Sequence, residues 1–167
     1  IVDPDGLDGA PISVFESGAI LQYLGRKTGR FYGRSERERV EIEQWLFWQV
    51  GGLGTMAGQA NHFRRMAEPI AYAVDRYTGE VARLYKVMDD RLADRQFLAG
   101  ELSIADFATV GWVKYADMQG LDVAAYPNVK RWFDALMARP AVQRGFAVTV
   151  DRSLSLAQDE DLGSHGR

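Results

Sequence analysis

Residues 14–20 read Val14-Phe15-Glu16-Ser17-Gly18-Ala19-Ile20. The apolar run Ile12-Ser13-Val14 ends in an acid and a hydroxyl, and helical patterning begins at once. Ile20, Tyr23 and Leu24 fall at i, i+3 and i+4, and Gly29 is a natural stop. A helix start leaves backbone N–H groups unpaired and carries partial positive charge, which suits a small carboxylate. Ser17 adds a hydroxyl, and Glu16 can accept from an ammonium group. A ligand with a carboxylate and an amine on one carbon satisfies both; the end of an amino acid or of a γ-glutamyl peptide has that shape. From spacing alone, the pair also reads as an ordinary local cap.

Upstream, Ile1-Val2 and Ile12–Val14 read as short strands around an Asp/Gly/Pro-rich loop, Asp3–Pro11. Downstream, Ser17 to about Lys27 is the first helix and Gly29–Arg34 a linker. From Ser35 the pattern is purely helical. Ser35 and Glu38 form a capping box, and Ile42, Trp45, Leu46 and Gln49 then share a face. Gly51, Gly52 and Gly54 predict a kink or close packing. Pro69 is expected in the first turn of a long helix with apolar residues from Ile70 to Leu92. Gly79 within it costs about 1 kcal/mol against Ala, so a close neighbour is expected there. Ser103 and Asp106 form a second box. The helix after it is apolar nearly all round, belongs at the centre of a bundle and is expected to end at Gly120. Tyr126-Pro127 turns into a helix over Asn128–Arg139, Pro140 breaks it, and Ala141–Phe146 adds a short one. Residues 149–167 read as a polar, frayed tail. Trp45, Trp48, Trp112 and Trp132 are read as core, with a pocket-lining place as the alternative for Trp48.

The 167 residues are 47% hydrophobic and 26% charged, a globular composition. The net charge of −3 gives no basic footprint for nucleic acid, and no apolar run reads as a signal peptide or membrane span. Neither nucleic acid nor membrane is therefore expected as a partner. The cysteine count is zero, so these residues supply no disulfide, cysteine-ligated zinc or cysteine nucleophile. That leaves the compartment open while fitting a cytoplasmic one. No metal site is expected.

The order of these elements resembles the glutathione transferase family. The resemblance rests on Phe15-Glu16-Ser17-Gly18-Ala19-Ile20, on Ser103-Ile104-Ala105-Asp106-Phe107, and on Tyr126-Pro127-Asn128-Val129-Lys130-Arg131-Trp132 with Arg139-Pro140. A narrower likeness, to the nu-class, YfcG-type branch, lies in Gln44–Gly54, Gly58-Gln59, Asn61-His62-Phe63, Tyr72-Ala73 and Arg76-Tyr77. The implied fold is mostly α: the C-terminal part of a thioredoxin-like α/β domain (residues 1–30), an all-helical C-terminal domain (31–148), and the tail (149–167). The implied activity is glutathione-dependent disulfide reduction by glutathione's own thiolate, in a cytoplasmic homodimer acting on a small thiol or disulfide substrate. Conventional conjugation, hydroperoxide reduction and a non-catalytic glutathione-binding or dimerisation module are the alternatives.

By the same resemblance, Glu16, Ser17 and Arg76 hold glutathione, with Arg76 on a carboxylate and able to act across a dimer. Asn61, His62 and Phe63 lie near the second-substrate pocket, and Ser103 and Asp106 form a structural cap. On local spacing alone, Arg76 reads equally as an ion pair with Asp75 or Glu80, and His62 as a solvent-facing or packing residue. The family's first strand–helix–strand unit, which carries the group that activates the glutathione sulfur, has no counterpart in these residues. The expectation is that the natural amino-terminal part is missing, that no catalytic residue is present, and that residues 1–167 alone support little catalysis.

Overall fold

The computed structural model describes residues 1–148, so the expected tail falls outside the described residues. The chain divides into two compact units, one over Ile1–Asp134 and one from Ala135 onward.

The first unit opens with a two-stranded antiparallel hairpin, β1 (Val2–Asp3) and β2 (Ile12–Ser13), in the register Val2↔Ser13 and Asp3↔Ile12. Helix α1 (Ser17–Thr28) ends where Gly29 turns left-handed at φ 65°. Its Tyr23 hydroxyl donates to Asp3 at 2.7 Å, and Lys27 pairs with the same carboxylate, tying α1 to the hairpin.

Helix α2 (Glu36–Trp48) starts at the expected box. The Glu38 N–H donates to Ser35 Oγ at 3.3 Å, and Glu38 Oε2 accepts from the Ser35 N–H at 3.0 Å. The expected kink is a π-turn, Gln49–Leu53, leading without a break into α3 (Gly54–Arg64). Of the three glycines there, only Gly54 is required by packing: a Cβ would fall 2.7 Å from Gln49 Nε2 and 3.1 Å from the Trp112 ring.

Helix α4 (Ala71–Arg91) buries Val81, Leu84, Tyr85 and Met88. Two expectations fail here. Pro69 lies before the helix, because Ile70 is extended at φ −89° and ψ 100° and its carbonyl accepts the first helical bond, from Val74. Gly79 meets no close neighbour, because its side of α4 faces open space.

Helix α5 (Ile104–Val113) is shorter than expected. The chain turns at Lys114–Ala116, makes a 3-10 turn at Asp117–Gln119, and reverses at Gly120, φ 85°. Gly120 thus ends that turn and not the helix. Buried Gln119 bridges α4 and the end of α5: it accepts from the Tyr85 hydroxyl at 3.2 Å and donates to the Trp112 carbonyl at 2.7 Å.

Helix α6 (Pro127–Met137) begins one residue early, at the proline, and ends before the expected Arg139. The Asp89 carboxylate accepts from the N–H groups of Asn128 and Val129 at 2.8 and 3.1 Å, supplying the cap from α4. Trp132 is fully buried, whereas Trp45, Trp48 and Trp112 are half-buried, which corrects the reading of all four as core.

In the second unit, Pro140 opens helix α7 (Pro140–Ala147), and Gln143 Nε2 donates to the Met137 carbonyl at 2.9 Å.

Candidate functional site

Three helix starts are built differently. That of α2 is closed by Ser35 and Glu38. That of α5 is closed by Asp106, whose Oδ2 accepts from the Ser103 N–H at 2.9 Å and from Ser103 Oγ at 3.2 Å, while Oδ1 accepts from the Leu98 N–H at 3.0 Å and Trp132 Nε1 at 2.8 Å. Burial pushes the Asp106 carboxyl above its ordinary value, opposed by these four donors.

The start of α1 is open. It has no side-chain cap and no acid in its first turn. Among the described residues, no group accepts from the N–H groups of Ser17, Gly18 or Ala19; the first helical bond runs from Ile20 to the Glu16 carbonyl at 2.9 Å. Glu16 precedes it at φ 69° and ψ 123°, in a region that L residues rarely adopt. A non-glycine residue held there costs about 1–3 kcal/mol and is concentrated at functional sites. Glu16 and Ser17 are both exposed, at the edge of an open cleft of about 670 Å³.

The cleft's other wall comes from the helical half, with Gln49, Thr55, Phe107 and Trp112 among its residues. Small residues bring the walls together. A Cβ at Gly18 would lie 3.3 Å from Val50, so glycine lets α1 approach the π-turn closely. Ile42, Leu46, Ile104 and Ala105 form the core beneath, with Leu21 and Val50 packed on it. The result is a polar rim carrying unused donors above an aromatic wall, an arrangement suited to an amphipathic ligand with a charged end.

The expected second-substrate residues stand elsewhere. Asn61 and His62 line a separate cavity of about 420 Å³ with Gly58, Arg65 and Met66. Asn61 Oδ1 is buried there with no hydrogen bond from a described residue. Phe63 stacks on Tyr77 at 5.3 Å between centroids and 6° between planes, with the His62 ring edge-on to it at 5.1 Å. Arg76 is exposed on α4 and lines neither cavity. Both Glu80 oxygens accept from Arg83, at 2.9 and 2.8 Å, and the Arg76 charge nearby adds to the lowering of the Glu80 carboxyl below its ordinary value. Among the described residues, no three His, Cys, Asp or Glu side chains cluster as metal ligands.

Sequence reading missed Gln49, Thr55, Phe107 and Trp112 as lining residues. Only the Gly51-Gly52-Leu53-Gly54 cluster signalled an unusual backbone beside them.

Comparison with known proteins settles the family. Residues 57–140 match the family model for the glutathione S-transferase C-terminal domain. The chain is 51% identical over 144 residues to the disulfide-bond oxidoreductase YfcG of Escherichia coli, covering 84% of this chain and 67% of that protein. The chain belongs to the glutathione S-transferase family. It is also 41% identical over 144 residues to disulfide-bond oxidoreductase YghU of Escherichia coli, covering 81% of this chain and 50% of the relative. Among solved structures, a glutathione transferase from Burkholderia graminis, with two glutathione molecules bound per subunit, superposes with a TM-score of 0.80 at 40% identity. That match covers 86% of this chain and 64% of the other. One from Pseudomonas putida, with one glutathione disulfide bound per subunit, gives 0.80 at 37% identity over 89% of this chain and 68% of that one. The fold is mostly helical, with β1 and β2 as a small sheet ahead of the helices.

Proposed function

We propose that the protein is a glutathione-dependent disulfide oxidoreductase, with glutathione seated in the cleft between α1 and the helical domain. The observation that carries this reading is the open start of α1. The starts of α2 and α5 close on their own side chains and that of α4 is also uncapped, but the α1 start sets Ser17 and a strained Glu16 beside its unpaired N–H groups at a cleft. Ser17 and the free N–H groups take the α-carboxylate of the γ-glutamyl end, and Glu16 takes its ammonium group. Relatives named as disulfide-bond oxidoreductases, and a similar structure holding glutathione disulfide, support the same chemistry.

The reaction then uses no protein thiol, consistent with the zero cysteine count. A glutathione thiolate attacks one sulfur of the substrate disulfide, forming a mixed disulfide and expelling one thiolate. A second glutathione thiolate attacks the mixed disulfide, giving glutathione disulfide and the second thiolate. Two glutathiones are oxidised and one disulfide is reduced to two thiols. In the family, the thiolate-activating group belongs to the first strand–helix–strand unit, and no residue of the cleft is assigned that role here.

The remaining assignments belong to the same reading. Arg76, outside its own chain's cleft, acts on a glutathione carboxylate across a homodimer, and Asn61, His62 and Phe63 serve the second substrate. Exposed Val40, Phe47, Ile70 and Tyr72 on and beside α2 and α4 support pairing through these helices. The setting is cytoplasmic, where glutathione is the prevailing thiol; among the described residues, no helix is long and apolar enough to cross a membrane.

The test compares the full-length protein on a disulfide, a hydroperoxide and an electrophilic arene, with glutathione throughout. Fast disulfide reduction is expected, and fast conjugation without it refutes the assignment. Retention on immobilised glutathione without turnover identifies a binding module instead. A monomer at micromolar concentration in sedimentation refutes the dimer.

A further inference from the structure

Gln49 is the polar residue of the cleft that local structure leaves unexplained. It stands first in the π-turn and is only 5% exposed. Its side-chain amide has no hydrogen bond from any described residue, although the side chain lines the same cleft as Glu16 and Ser17. The amide atoms are not enclosed: they open onto the cleft and are free to pair with a bound molecule. The neighbouring polar side chain is already engaged, since Thr55 Oγ1 donates to the Val50 carbonyl at 3.2 Å. Phe107 and Ala108 carry no polar side-chain group on that wall, and the Trp112 indole makes no hydrogen bond to Gln49.

The backbone around Gln49 is arranged to keep it there. The π-turn inserts an extra residue between α2 and α3, and such turns often mark functional sites. Gly54, one turn later, has no Cβ where Gln49 Nε2 lies; a side chain would come within 2.7 Å. Trp112, packed on the same glycine, is anchored behind by the Gln119–Tyr85 hydrogen bonds. The amide is thus held between a glycine and an indole, at the cleft.

We propose that Gln49 is a specificity-determining residue that pairs with a peptide amide of the bound substrate. Its N–H group donates to the substrate's peptide carbonyl, and its oxygen accepts from a peptide N–H. A neutral planar amide matches this chemistry as neither an ammonium nor a carboxylate does. Ionic ends are met at the α1 start, and Gln49 reads the peptide body along the aromatic wall. The inference rests on the disulfide-reductase reading above. The peptide belongs either to the reducing glutathione or to a peptidyl disulfide substrate, and the experiment separates the two.

Gln49→Met keeps the length of the side chain and removes both hydrogen-bonding groups. In the full-length protein, kcat/KM is measured with glutathione on cystinyl-bis-glycine, which carries peptide bonds, and on 2-hydroxyethyl disulfide, which carries none. Loss of one or two neutral hydrogen bonds predicts a drop of about fivefold to tenfold. A drop confined to the peptide disulfide identifies the substrate's amide. Equal drops with a matching rise in the KM for glutathione identify glutathione's own amide. Unchanged values, or equal drops in kcat with an unchanged KM for glutathione, overturn the proposal. Gln49→Glu, which keeps the acceptors and loses the donor, gives the same comparison should the Met variant not fold. A wild-type protein that neither binds glutathione nor reduces either disulfide overturns this proposal and the underlying reading together; an active wild type with an indifferent Gln49 overturns this proposal alone.

Discussion

Replacing Asp106 tests how the helical domain is held together. Its two oxygens accept four hydrogen bonds, all from groups in the core: the Leu98 and Ser103 N–H groups, Ser103 Oγ and Trp132 Nε1. Asp106→Asn retains one oxygen and puts an NH2 group where the other stood. The least damaging orientation leaves the oxygen with Leu98 and Trp132 and turns the NH2 toward Ser103, whose hydroxyl can rotate to accept. The Ser103 N–H then faces a donor and is left buried without a partner. One such group costs about 1–3 kcal/mol, and the remaining bonds lose their charge assistance. Relief from burying a charge works the other way, since burial already raises the Asp106 pKa. The net expectation is a loss of about 2–3 kcal/mol for D106N. D106A strands three donors that cannot rotate away, and about 4 kcal/mol or more is expected, a large share of a typical domain's 5–15 kcal/mol. Urea unfolding followed by tryptophan fluorescence and far-ultraviolet circular dichroism reads both. D106N within 0.5 kcal/mol of wild type, or D106A no worse than D106N, refutes this account.

Glu16→Gly releases the strained backbone at φ 69° and is expected to raise stability by about 1 kcal/mol while weakening glutathione binding about tenfold or more, read by urea unfolding and titration calorimetry. A loss of stability contradicts the strain argument. Gly120→Ala places a side chain at φ 85° and sets a Cβ 2.6 Å from the Arg64 guanidinium; a loss of about 1 kcal/mol is expected, and the double variant with Arg64→Ala is not rescued, because the flexible guanidinium can move and the backbone cannot. The Asp3 carboxyl is held down to about 2 by hydrogen bonds from Lys27 and Tyr23. A folded pKa below the unfolded one stabilises the fold above the ordinary value of 3.8, and that contribution fades as pH falls toward 2, so Asp3→Asn should flatten the acid limb of the urea midpoint against pH.

The parts of the fold that were legible in the sequence depend on contacts a few residues long. Ser35 with Glu38, and Ser103 with Asp106, declare their helix starts because donor and acceptor are three residues apart. The period from Val74 to Met88 declares α4 because one face is buried along its length. Gly120 was misplaced because a left-handed glycine ends a 3-10 turn as readily as a helix, and local sequence does not distinguish them. Trp112 read as core because α5 is apolar nearly all round, and such a pattern cannot tell a face packed on Gly54 from one lining a cleft. The separation of Asn61 and His62 from Glu16 and Ser17 is a tertiary fact set by where α3 lies against α1, with no signature in either segment. Gln49 does lie on the buried face shared by Ile42 and Leu46, but helical spacing cannot tell that the end of its side chain reaches a cleft.

The three helix starts also show why a motif alone could not decide the function. A hydroxyl and an acid near a helix start serve stability when the acid lies three residues into the helix, since its carboxylate then reaches back to the open donors. Ser35 and Glu38, and Ser103 and Asp106, have that order. In Glu16-Ser17 the order is reversed: the acid precedes the hydroxyl and sits on a backbone at φ 69°. From there the Glu16 side chain makes no cap to the helix, and the donors of Ser17, Gly18 and Ala19 stay open. A protein selected for stability alone would gain by closing them, with an acid at position 19 or a serine before the helix, and each would contribute about 1 kcal/mol. Keeping the start open on a residue that is itself strained is costly twice over. Under the proposed reading a ligand's carboxylate completes the cap, and the site draws its affinity from donors the fold has withheld from itself.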